Sequence, residues 1–207
     1  MNSLLLISTL IFAQPQTSSK IDQLPLLAVE FGVGALLSIF IHESAHYVAI
    51  KAYDDADVVD FKPYPFISDG KLHSGLISYT LSKGDNYRAS TLATAPAGMM
   101  ATRLLSEGSD YLVDRKFTGQ RADQFMAAVY FTSRFDMVFY ILGCAIRSWV
   151  GHPKTHEYDP QGIMNSFTTD RHKQNMLYIG AASLVIADLI FDFDEVMKNW
   201  DRLWLSR

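Results

Sequence analysis

An apolar run over residues 24–50, broken only by Glu30 and, near its end, by His42-Glu43-Ser44-Ala45-His46, constrains this 207-residue chain more than any other feature. At about 1.5 Å per residue, some 20 apolar residues cross the hydrocarbon core of a bilayer, so the run predicts a transmembrane helix. Pro25 suits the first turn of that helix. Gly32, Gly34, Ala35 and Ser38 are small and spaced to let another helix approach closely. Ionisable residues at such a depth are costly and mark function by default.

Three further stretches have helical character. Residues 89–105, with Thr94-Ala95-Pro96-Ala97-Gly98-Met99-Met100, are weakly hydrophobic and dense in small residues, as in a helix packed inside a bundle. Residues 125–150 form a long apolar segment carrying Arg134, Asp136 and Arg147, and residues 176–193 form another, ending near Asp188, Asp192 and Asp194. Residues 58–82 read differently. Val58-Val59-Asp60-Phe61, a Pro63-Tyr64-Pro65 break, an Asp69-Gly70 turn signal and Leu76-Ile77-Ser78-Tyr79-Thr80-Leu81 predict a β-hairpin or small sheet. The expected fold is therefore mainly α, a polytopic membrane helix bundle of about four core helices with a small hairpin or sheet after the histidine-bearing helix.

The apolar opening segment, Met1 to Ala13, has the length of a signal h-region without its basic start, and is either a cleaved signal or a retained anchor. Residues 1–20 are thus set apart as a signal-like segment and linker, residues 21–207 form one membrane-embedded domain, and residues 58–83 are its hairpin insert. Lys51, Lys62, Lys71, Lys83 and Arg88 against Arg115, Lys116 and Arg121 favour a cytoplasmic hairpin. A net charge of −4 offers no basic surface for a phosphate backbone, which argues against nucleic acid as a partner. Charged residues, at 19% of the chain, exceed what a bare set of spans needs and leave room for polar loops. Cys144, the single cysteine, cannot form an internal disulfide and sits in the apolar stretch 141–146 as a small buried residue.

On a helix, His42 and His46 share one face and can offer two imidazole nitrogens to one metal ion, with Glu43 beside the water that the metal activates. Zn2+ lowers the pKa of such a water to about 7, and a carboxylate can then take its proton during attack on a peptide carbonyl. The long soluble motif needs Gly at 49 and His at 52, where this chain has Ala49 and Ala52. A distant glutamate ligand would have to come from Glu107, Glu157 or Glu195, none in a recognisable ligand context.

Ile41-His42-Glu43-Ser44-Ala45-His46 in an apolar helix, the strand-rich segment after it, and Ala95-Pro96-Ala97-Gly98 in the next helix together resemble the site-2 protease family of intramembrane zinc peptidases. The resemblance covers residues 24–159. It implies zinc-dependent hydrolysis of a peptide bond at or within the membrane, Glu43 as general base, and an integral membrane location, in the cell (inner) membrane if the source is bacterial. The substrate implied is a membrane protein or peptide in contact with the lipid bilayer, its helix partly unwound, and residues 76–81 offer an edge on which it could lie as an added strand. The family's Asn-Pro and Leu-Asp-Gly elements, which carry the third ligand, are absent here, and Ala45 stands where the family usually has Gly.

Two aspartates compete for that third place. Asp136 lies inside an apolar segment, where zinc would satisfy it; its other role would be an ion pair with Arg134 or Arg103. Asp159, in Tyr158-Asp159-Pro160-Gln161-Gly162, opens a helix after a loop; its other role would be a plain N-cap. Both contribute if one binds metal and the other orients a histidine from behind. His73, His152, His156 and His172 read as solvated. Two alternatives to the enzyme stand beside it: an inactive membrane binding or regulatory relative, and a soluble or peripheral metallohydrolase, which a mean hydropathy of only +0.07 would allow.

Overall fold

The structure is a computed structural model that describes residues 20–52, 56–81, 94–115, 120–150 and 159–204; the signal-like segment at 1–13 lies outside them. Helix α1 spans Lys20–Lys51 and leads into four short strands, β1 Ala56–Lys62, β2 Phe66–Ser68, β3 Lys71–His73 and β4 Leu76–Leu81. Then follow α2 Ala97–Asp114, α3 Gln120–Trp149, α4 Asp159–Phe167, α5 Arg171–Phe191 and α6 Phe193–Arg202. The fold is mainly helical with a small antiparallel strand insert, as the sequence predicts.

Helix α1 starts earlier than its apolar run. Polar Lys20, Asp22 and Gln23 belong to it, so Pro25 sits beyond the first turn, where it gives up one backbone hydrogen bond. Among the described residues, three helices are long and apolar enough to cross a membrane: Lys20–Lys51, Arg121–Trp149 and Arg171–Phe191. Helix α2, drawn from the sequence at residues 89–105, is not among them. Pro96 stands at its N-cap and the helix runs on through Glu107 and Asp110 to Asp114, with Met99, Thr102, Ser106, Ser109 and Val113 on its buried face. Residues 89–93 of the expected stretch lie outside the described residues, and the stop falls later than the apolar stretch implies, because an amphipathic face sustains the far end.

Side chains are distributed against the habit of a water-soluble core. Phe139, Leu184, Ile190 and Phe191 point outward, while Glu30, His42, His46, Ser133 and Arg134 are buried among the helices. Large apolar outward faces on long helices and polar groups turned inward are compatible with lipid on the outside. Arg134, fully buried, pairs with Glu107, Asp188 and Asp192, and Arg103 pairs with the same three acids. These five charges fasten α2, α3 and the end of α5 to one another. A second group joins α6 to α2: Lys198 and Arg202 with Asp110 and Asp114, and Asn199 with Asp110.

The strand insert is one long hairpin with an interruption. β1 pairs antiparallel with β4, with a bulge between Val58 and Asp60, and β2 pairs with β3 across the Asp69-Gly70 turn. Both turn residues have positive φ, 51° at Asp69 and 69° at Gly70. They supply the left-handed pair that a tight hairpin turn needs. Tyr47 of α1 packs on Phe61 of β1 with ring centroids 4.9 Å apart, which seats the insert over the C-terminal end of α1.

Candidate metal centre

The four-residue steps of α1 place Glu30, Gly34, Ser38, His42 and His46 on one buried face, turned toward α2 and α3. The two imidazoles converge there. His42 Nε2 and His46 Nε2 lie 3.1 Å apart. Their other nitrogens are engaged away from each other. His46 Nδ1 donates to the Thr94 carbonyl at 2.7 Å, and His42 Nδ1 donates to Asp136 Oδ2 at 2.8 Å.

These bonds fix the proton on each ring. A carbonyl oxygen can only accept, so His46 must carry its hydrogen on Nδ1; the Asp136 carboxylate imposes the same on His42. Each neutral ring then presents a lone pair on Nε2. Two lone pairs facing at 3.1 Å repel unless a positive charge lies between them, either a metal ion or a shared proton. Two nitrogens each about 2.1 Å from one tetrahedral zinc stand about 3.4 Å apart. The pair therefore fits two ligands of one ion.

Asp136 is also held from α2, since Thr102 Oγ1 donates to the same Oδ2 at 2.9 Å. It forms neither of the arginine pairs the sequence offers, because Arg134 and Arg103 engage Glu107, Asp188 and Asp192 instead. Its contact is on the Nδ1 side of His42, behind the nitrogen that faces His46. Tyr140, one turn along α3 from Asp136, stacks on the His42 ring with centroids 4.9 Å apart and planes 17° apart. Asp159 opens α4 as expected, but its side chain lies outside the described residues. Gly162, one turn on, sits with an added Cβ only 3.7 Å from Ala95 Cβ. The first turn of α4 is thereby next to the residues that hold His46. Among the described residues no group of three or more His, Cys, Asp and Glu gathers as a metal cage.

Two glycines make room for the cluster. A Cβ added at Gly98 would lie 2.5 Å from His46 Nε2 and closer still to His42. At Gly75, between β3 and β4, it would lie 2.7 Å from Glu43 Oε1 and Cγ. Only a residue without a side chain lets α2 approach the imidazoles and lets the hairpin close over Glu43. Gly98 and Thr94 belong to the small-residue run that the sequence singles out; Gly75, Thr102 and Tyr140 carry no local signal, since each acquires its place from a distant partner. β4 pairs on one edge with β1 and has no strand on its other edge among the described residues.

Of the remaining histidines, His73 stacks on Phe66 at 4.9 Å and lies in the hairpin. His172 is exposed in the first turn of α5, its backbone N–H bonded to the Asp170 cap. His152 and His156 lie outside the described residues. Cys144 is buried, as its apolar stretch implies. No protein-family model matches the chain, and no curated protein or solved structure is similar to it.

Proposed function

We propose that the protein is a zinc-dependent peptidase working at or within a membrane on a membrane protein or peptide. The observation that carries this is the His42–His46 pair: two Nε2 atoms 3.1 Å apart, each ring anchored through Nδ1, on a helix long and apolar enough to cross a membrane, with Glu43 buried next to His42 in the chain. His42 and His46 would hold the ion, Asp136 orients His42 from behind, and Asp159, at the start of α4, is the candidate that would complete the set. Bound zinc would act as a Lewis acid and acidify water at the site.

Glu43 takes the proton from the attacking water and returns it to the leaving amine. Its carboxylate lies against Gly75, so the base is walled by the hairpin rather than by a side chain. The Thr94 carbonyl and the Thr102–Asp136 pair keep both imidazoles in the tautomer that leaves Nε2 available. The open edge of β4 begins at this same wall and offers backbone groups to an unwound substrate strand. A helical substrate needs that unwinding, because its own carbonyls are engaged in helix hydrogen bonds.

The same 3.1 Å contact between Nε2 atoms suits a second reading, an inactive membrane relative. There the His42–His46 contact would be a shared proton. Metal analysis of the detergent-purified protein beside His46→Ala, Asp136→Ala and Asp159→Ala separates the two. The peptidase reading expects one zinc per chain, lost with His46→Ala and with Asp159→Ala, and weakened with Asp136→Ala. A metal-free wild type would overturn it.

A further inference from the structure

Directly beneath the layer in which His42, Asp136 and Thr102 touch, each of the three central helices supplies a serine. Helices α1 and α3 run the same way, since Gly34 lies against Ala128 and Thr132 while His42 meets Asp136. Helix α2 runs oppositely, since Thr102 meets Asp136 and Glu107 meets Arg134. One turn away from the hairpin is therefore four residues back in α1, four on in α2 and three back in α3. Those positions are Ser38, Ser106 and Ser133.

All three are buried, at 3%, 0% and 0% exposure. Ser106 Oγ donates to the Arg103 carbonyl at 2.8 Å. That bond stays within its own helix and leaves the hydroxyl's lone pairs open. Ser38 Oγ and Ser133 Oγ have no hydrogen-bond partner among the described residues. Hydroxyls buried in this way are costly, and enclosed water making about three hydrogen bonds is how proteins meet them.

We propose that Ser38, Ser106 and Ser133 bind one ordered water molecule inside the bundle, a helical turn beneath the histidine pair. Its two hydrogens and two lone pairs match what the three hydroxyls offer: Ser38 and Ser133 can donate or accept, and Ser106 accepts. One turn further down α1, an added Cβ at Gly34 would lie 2.9 Å from Thr132 Oγ1 and 3.3 Å from the Ala128 carbonyl, so α1 and α3 approach closely there. The site is thus bounded on that side by the contact of α1 with α3. Its use as a water store for hydrolysis rests on the peptidase reading; the pocket itself does not.

The test is thermal unfolding of the full chain in lipid nanodiscs for wild type, Ser38→Ala, Ser133→Ala and the double variant. A shared water predicts that each single change lowers Tm and that the double lowers it by less than the two together, since the first change already loosens the water. A rise in Tm, which follows when alanine removes a dry, unpartnered hydroxyl, overturns the proposal, and so does a strictly additive fall. Should a variant fail to fold, a map of the wild type at a resolution that shows ordered water decides. A solvent peak within about 2.6–3.2 Å of Ser38 Oγ and Ser133 Oγ is expected, and its absence refutes the site. Neither readout involves zinc or cleavage, so a metal-free, inactive protein leaves this proposal standing while it removes the peptidase reading.

Discussion

Gly98→Ala places the sharpest demand on the proposed centre. The new Cβ would fall 2.5 Å from His46 Nε2, where ordinary van der Waals contact begins at 3.4 Å. The imidazoles or α2 must therefore yield by about 0.9 Å to restore a normal contact distance. The rings are poorly free to do so, because their Nδ1 bonds to Thr94 and Asp136 measure 2.7 and 2.8 Å. A shift of that size along the bonds would stretch them to about 3.6–3.7 Å, past the useful range for N–H···O. If the rings move, the tautomer support goes and zinc affinity falls by about 10–100-fold, as when an outer-shell partner is removed. If α2 moves instead, overpacking costs about 1–3 kcal/mol. Gly108→Ala in the same helix is the control. No atom lies within 4 Å of its added Cβ. That change therefore meets no clash and gains about 0.5–1 kcal/mol from helix propensity. Chelator competition for zinc and thermal unfolding, run together on both variants, read the two effects. Wild-type zinc affinity and an unchanged Tm in Gly98→Ala would refute the close approach of α2 to the histidine pair.

Glu43→Gln should keep stoichiometric zinc while cleavage of a membrane substrate falls by about 10²–10⁴, the range for a lost general base; metal loss in parallel would make Glu43 structural. Arg134→Met leaves Glu107, Asp188 and Asp192 without a fully buried cation. Because the three acids are 30–43% exposed and keep Arg103, it should lower stability by only about 1–3 kcal/mol, and denaturant titration beside Lys198→Ala, expected to cost under about 1 kcal/mol, checks the contrast. The α2–α6 clamp should have a pH window. Hydrogen bonds from Lys198, then Arg202, lower the Asp114 carboxyl, so its contribution is present above the usual carboxylate pKa and is lost as pH falls through the depressed value. Burial works against the charge on Lys198, but the bonds it donates to Asp114 and Asp110 outweigh that and raise it; its contribution is full below the usual lysine value and is lost as pH rises through the raised one. Stability followed from acid to alkali should therefore lose its Asp114→Asn sensitivity at low pH, and a sensitivity that persists there refutes the ion pair.

Much of the architecture is legible in the sequence because it follows from local rules. The apolar length of residues 24–50 yields α1, alternation and the Asp69-Gly70 pair yield the hairpin, and Asp159-Pro160 yields the opening of α4. The bounds of α2 are not legible in this way, because its amphipathic second half is held by Arg134, Asn199 and Arg202, which lie far along the chain. The five-charge cluster is equally hidden. Arg103, Glu107, Arg134, Asp188 and Asp192 look like scattered exceptions in apolar segments until three helices bring them together.

The sequence by itself determined the two imidazoles and the carboxylate of His42-Glu43-Ser44-Ala45-His46, since i and i+4 share a face on any helix, and it determined that this helix is long enough to cross a membrane. What the other residues do was decided by the tertiary structure. Asp136 is open in the sequence between metal ligand, ion pair and support behind a histidine, and nothing within its own segment distinguishes these. Only the packing of α3 against α1 puts its carboxylate on Nδ1 of His42, 2.8 Å away, and only the passage of α2 beside both makes Gly98 and Thr102 part of the same cluster. Spacing along a helix is fixed by covalent geometry, whereas the contact between His42 and Asp136, far apart in the chain, exists only once apolar faces, small residues and buried charges have chosen which helices meet.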